Sequence, residues 1–220
     1  MESFDSSTNR ILTIMTSLPT MLLGYLNVYS LVFNDSNLIS VQTGNLINMA
    51  IKLSKGNIDL SNEFSLVIGF ALGCFFSTII LLKTEMSFKT LIIRWTLFSS
   101  IIWVYSIFDN YFSDTISIFI LSFMSAMALN FFRLINNNVS NNGIMAGNLR
   151  NLYASLGKLM ILKNLDILND ILCYLLVVIL FIIGAYFGSI VSCFGNGTML
   201  LIASGICVIP YLFCFIDWLI

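Results

Sequence analysis

The chain has 220 residues; 58% are hydrophobic, only 10% are charged, and the net charge is −1. A soluble domain carries about 25% charged residues, so this composition, with a mean hydropathy of +0.95, excludes an ordinary soluble domain and points to the bilayer. No basic cluster suggests nucleic acid.

Histidine is absent, which removes imidazole metal sites and His-based catalysis. Cys74, Cys173, Cys193, Cys207 and Cys214 sit singly in apolar runs without a C-x-x-C pair, and read as small apolar filler. No cofactor or metal is expected, and no enzyme activity.

The opening "MESFDSSTNR" is polar and acidic, unlike the positive start of a cleaved signal peptide, so the first apolar run is expected to stay in the protein. A spanning helix needs roughly 20 apolar residues. Six runs qualify, at about 11–33, 64–82, 91–108, 115–133, 168–194 and 198–219. Two further stretches, about 43–55 and 146–160, have a helical pattern but are shorter and more polar.

Charge decides whether those two cross. If only the six long runs cross and the N-terminus is inside, Arg10, Lys83, Lys89, Arg94, Arg133, Arg150, Lys158 and Lys163 lie inside, with Lys52 and Lys55 outside. Eight to two obeys the positive-inside rule; crossing by all eight gives five to five. The expectation is an integral membrane protein with both termini cytoplasmic.

The chain also repeats itself. "QTGNLINMA" from Gln42 and "MAGNLRNLY" from Met145 share G-N-L-x-N at a displacement of 103, which also relates Asn27 to Asn130 and Lys55 to Lys158. "FALGCFFS" from Phe70 resembles "FIIGAYFG" from Phe181 at a displacement of 111. The expected fold is an all-α membrane protein of one domain, 1–220. Its six transmembrane helices form two inverted three-span repeats, about 11–109 and 114–219, each with an additional short half-helix or interfacial helix. An odd number of spans per repeat inverts the second, a plan common in secondary transporters.

On "GYLNVYS" from Gly24, "VQTGNLINMAIKLSKGN" from Val41, "AMALNFFR" and "GIMAGNL", the chain resembles the YoaK family of bacterial membrane proteins, also designated UPF0700 or DUF1275. The resemblance covers nearly the whole length and implies a bacterial plasma-membrane location. It brings no settled activity. The chain departs from the family pattern at Asn27, where members often carry Asp, and at Ala146, where the second motif usually has Thr. A third departure is Ala128, Asn130 and Phe131, where a Gly and a Gln-Asn pair are usual.

The short stretches carry the functional expectation. Thr43 is a reasonable N-cap, Gly44 lets a backbone or a ligand approach, and the helix start offers unpaired N–H groups and a positive dipole end. Asn45, Asn48, Lys52 and Lys55 form one polar stripe, matched by Asn148, Asn151, Ser155 and Lys158. Such a stripe needs water, protein or solute as partner. The helices either lie on the bilayer surface or enter it so that their N-termini bind a small polar solute. The candidate site is Asn27, Thr43, Gly44, Asn45, Asn48, Asn130, Gly147, Asn148 and Asn151. Asn27 and Asn130 serve equally as helix-packing contacts.

Arg94 and Arg133 read as snorkelling side chains, and Asp109 and Asp114 as solvated flanks of an outer loop. Gly69 with Gly73, and Gly184 with Gly188, are close-packing pairs, available also for a homo-oligomer. Pro19 and Pro210 are candidate kinks. The expected function is a permease for a small polar solute; the alternative is a non-transporting assembly partner or sensor.

Overall fold

The computed structural model describes residues 6–34, 38–56, 59–85, 87–135, 138–140 and 142–212. Among these residues eight α-helices follow one another: α1 (Ser6–Phe33), α2 (Gln42–Ser54), α3 (Ser61–Lys83), α4 (Phe88–Phe108), α5 (Asp114–Phe131), α6 (Met145–Leu162), α7 (Ile167–Ser192) and α8 (Asn196–Ile206). A 3-10 turn, Asp109–Tyr111, closes α4. The departure from an all-helical fold is an antiparallel ladder of β1 (Leu134–Ile135) on β2 (Asn138–Val139).

Among the described residues four helical segments are long and apolar enough to cross a membrane: Ser61–Lys83, Phe88–Tyr111, Asp114–Phe131 and Ile167–Ser192. The first expected span lies within α1, whose 28 residues reach about 42 Å at 1.5 Å per residue. The sixth begins with the apolar helical stretch Asn196–Leu212, and its expected end, 213–219, falls outside the described residues.

Local signals account for several helix starts. Ser87 and Thr90 form a reciprocal capping box at α4, satisfying two first-turn donors. Before α3, the Ser61 hydroxyl and N–H both donate to Asp59 Oδ1 at 2.8 and 3.3 Å. These bonds, the hydroxyl's first, hold the Asp59 carboxyl below the usual carboxylate range.

The bundle is built from two dominant pairings, α3 on α5 and α1 on α7. Both rest on glycines. A Cβ on Gly69 or Gly73 would run into the carbonyl oxygens of Phe119 or Phe123 on α5, and a Cβ on Gly184 into that of Met21 on α1. Gly188 likewise lies against Tyr25. Without side chains the helix backbones touch, which in lipid is what holds helices together. The glycine pairs, read from sequence as close-packing pairs, thus pack within the chain.

The short helices repeat the pattern: α2 packs on α3 and α6 on α7. α4 and α8 lie together, joined by Trp95 Nε1 donating to the Cys207 carbonyl at 2.9 Å. Leu22, Leu26, Trp95, Phe98, Leu121, Met124, Met199 and Ala203 fill the core between α1, α4, α5 and α8.

Polarity runs inward. Thr16, Thr20, Asn27, Ser40, Asn45, Ser122, Asn142 and Asn148 are buried, while Phe64, Ile68, Phe75, Leu172, Ile182 and Tyr186 are exposed. Apolar side chains left outside on long helices suit hydrocarbon, and buried polar groups then need partners from within.

Candidate functional site

The two short helices begin at one contact. Ser40, two residues before α2, donates its hydroxyl to the carbonyl of Gly143, two residues before α6, at 2.9 Å. A Cβ on Gly143 would stand 2.7 Å from that of Ser40 and 3.4 Å from Leu23 Cδ1. Asn27 Nδ2 donates to Ser40 Oγ at 2.9 Å and to the Leu23 carbonyl at 2.7 Å. The contact therefore lies alongside residues 23–27 of α1, well short of its end at Phe33. Ser40 thus lies back alongside α1, immediately before α2 starts.

The backbone at both starts is nearly the same. Val41 has φ −111° and ψ 85°, and Ile144 has φ −116° and ψ 84°; neither helix start has a side-chain cap. This corrects the expectation for Thr43. α2 begins a residue earlier, at Gln42, so Thr43 sits inside the first turn and is exposed. An aliphatic cap offers no oxygen to the first-turn N–H groups.

Asn45 and Asn148 are buried, 3% and 0% exposed, and reach back three residues in the same way. Asn45 Nδ2 is 3.4 Å from Gln42 Oε1 and donates to the Leu38 carbonyl at 2.9 Å; Asn148 Nδ2 approaches Met145 Sδ at 3.8 Å. Gln42 itself donates to Ser122 Oγ at 3.3 Å, and Ser122 donates to the Leu66 carbonyl at 2.7 Å. These bonds tie the start of α2 to α5 and α3. Beside Gly44 a Cβ would meet nothing within 4 Å, so no protein backbone requires that glycine. Gly147 is half-buried.

The expected stripes divide. Asn45 and Lys52 turn inward on α2, while Asn48 is exposed. On α6, Asn148 and Ser155 are buried and Asn151 half-buried. The outer side of α2 is apolar: Leu46, Ile47, Ile51 and Leu53 are all exposed. Asn130, the counterpart of Asn27, does not join this centre. It donates to the Cys74 carbonyl at 3.2 Å and to Ser77 Oγ at 2.8 Å on α3.

Two acidic residues carry more than their sequence positions suggested. Lys52 Nζ pairs with Glu63 Oε1 at 2.6 Å, and the Glu63 side chain is only 4% exposed. Its Oε2 is buried without a hydrogen-bond partner among the described residues. Glu63 lies in the first turn of α3, just outside the apolar run at about 64–82. Asp109, expected to be solvated, instead accepts from Tyr29 at 2.9 Å and from Asn196 at 3.1 Å, tying α1 to the start of α8. Among the described residues no cluster of three metal-ligating side chains occurs.

Apolar helices of spanning length around a polar interior define a helical membrane protein. Residues 15–213 match the family model described as "Protein of unknown function (DUF1275)", and the chain belongs to that family. Neither a curated protein nor a solved structure matches it.

Proposed function

We propose that the protein is a secondary transporter for a small polar solute, in which two inverted halves alternate access to a site between the starts of α2 and α6. Each half comprises three spans and one short helix, with both chain termini on the cytoplasmic side of a bacterial plasma membrane. The observation that carries this reading is the Ser40–Gly143 contact. The displacement that matches the two G-N-L-x-N motifs, 103, also maps Ser40 onto Gly143. A residue touching its own counterpart is what a two-fold axis between halves requires.

The helix pairings support the same symmetry. Exchanging α1 with α5 and α3 with α7 turns the α3–α5 pairing into the α7–α1 pairing. Two uncapped helix starts brought together offer N–H groups and positive dipole ends to a carboxylate or carbonyl of a solute. The open side of Gly44 gives room for it. Apolar outer side chains on α2 favour a helix immersed in lipid over one lying flat with its polar side in water.

The test is uptake by proteoliposomes offered a panel of labelled amino acids, sugars, nucleosides and small carboxylates. At least one solute is expected to accumulate, and Asn45→Ala with Asn148→Ala is expected to slow it strongly. Uptake of that solute unchanged in the double variant would remove this site.

A further inference from the structure

We propose that the parts which move in alternating access are two interleaved three-helix bodies, α1 with α6 and α7 and α2 with α3 and α5. Each body draws helices from both inverted halves, a refinement that rests on the transport reading above.

Glycine places the firmest seams between the halves of the sequence rather than within them. A Cβ on Gly24 of α1 would run into the Phe181 carbonyl of α7, and from the other side a Cβ on Gly184 would run into the Met21 carbonyl. Gly69 and Gly73 of α3 press in the same way on Phe119 and Phe123 of α5. α1 and α3 come from the first half, α5 and α7 from the second. Where helix backbones touch, sliding one helix along the other brings neighbouring side chains against the backbone, and close packing leaves no room for them. Each seam therefore makes two helices one body. The short helices join these pairs, α2 on α3 and α6 on α7.

The exchange of α1 with α5 and α3 with α7, extended to α2 with α6, converts one body into the other. The chain passes between the bodies just before each short helix, from α1 to α2 and from α5 to α6. Ser40 and Gly143 stand on those two passages and touch each other.

Contacts between the bodies are of another kind. Asn27 of α1 donates to Ser40 ahead of α2 at 2.9 Å, and Thr16 Oγ1 of α1 donates to the Leu134 carbonyl just past α5 at 2.6 Å. Leu22 and Leu26 of α1 share the apolar core with Leu121 and Met124 of α5. A single side-chain hydrogen bond is exchanged for one to water or solute at modest cost. Packed helices that meet through side chains can shear past one another by small steps. Motion between the bodies opens the contact between the two short-helix starts, while motion within a body meets backbone.

The experiment uses the full chain with its five native cysteines replaced. Nitroxides are attached at pairs of introduced cysteines, and their separations are measured by pulsed dipolar EPR in detergent and in liposomes, without solute. Val32, Phe64, Ile116 and Ile190 are exposed and stand near ends of α1, α3, α5 and α7. Val32→Cys with Ile190→Cys, and Phe64→Cys with Ile116→Cys, join one body across the two halves; each pair is expected to give one narrow distance. Val32→Cys with Phe64→Cys, and Ile116→Cys with Ile190→Cys, join one half across the two bodies; each pair is expected to split into two distances. Narrow single distances for all four pairs, equal breadth in all four, or two distances confined to the pairs that join one body would overturn the proposal. No solute enters the measurement, so the two bodies and the transport reading fail separately: uptake without this pattern leaves a transporter whose moving parts are others.

Discussion

Ser40 Oγ donates to the Gly143 carbonyl at 2.9 Å, and the 103 positions between these two residues are the same displacement that relates Gly44-Asn45-Leu46 to Gly147-Asn148-Leu149. Asn27 holds the serine in place, so a polar side chain inside an apolar helix is committed to fixing where α2 begins. The uncapped starts at Val41 and Ile144 follow immediately on this contact.

Glycines in this chain separate into two kinds, and substitution by alanine distinguishes them. Gly184→Ala places a Cβ against the Met21 carbonyl of α1, where backbone must yield; the expected loss is about 1–3 kcal/mol or more. Gly44→Ala meets nothing and is expected to leave stability unchanged or raise it by up to about 1 kcal/mol. Thermal unfolding in detergent measures both. Gly184→Ala as stable as wild type would contradict the tight α1–α7 packing.

The ion pair of Lys52 with Glu63 joins the end of α2 to the start of α3. Lys52→Met strands a buried carboxylate. Because Lys52 is itself 39% exposed, the expected cost is about 1–3 kcal/mol, below that of a fully buried pair. Adding Glu63→Leu is expected to recover most of the loss, since an apolar pair carries no desolvation cost. Equal stability of Lys52→Met and wild type would show that the pair does not anchor α2.

The proposed arrangement, six crossings with both ends inside, predicts the side on which each loop lies. Single cysteines at Tyr111, which is 83% exposed, and at the exposed Lys89 report the two faces. In whole cells an impermeant maleimide is expected to label Tyr111→Cys and to spare Lys89→Cys until the membrane is opened. Labelling of both in intact cells, or the reverse pattern, would refute the topology.

Much of this was legible in the sequence because bilayers impose simple rules. Run length placed helices at α3, α4, α5 and α7, and the glycine pairs at 69 and 73 and at 184 and 188 marked the two closest packings. The short helices appeared within a residue or two of their expected limits. Partners across the fold were not legible. Nothing local showed that Asp109 would bridge Tyr29 and Asn196, or that Glu63, outside its apolar run, would be buried by Lys52. Equally hidden was the divergence of Asn27 and Asn130, which share a register but not a partner. Side-chain partners depend on which helices become neighbours, and periodicity along one helix does not encode that.

The most direct measurement is uptake by a variant carrying Ser40→Cys and Gly143→Cys, with the five native cysteines replaced, in proteoliposomes under oxidising and then reducing conditions. If the halves alternate about this contact, cross-linking it is expected to stop uptake and reduction to restore it. Uptake by the fully cross-linked protein at the rate of the reduced protein would contradict alternating access at the paired starts of α2 and α6.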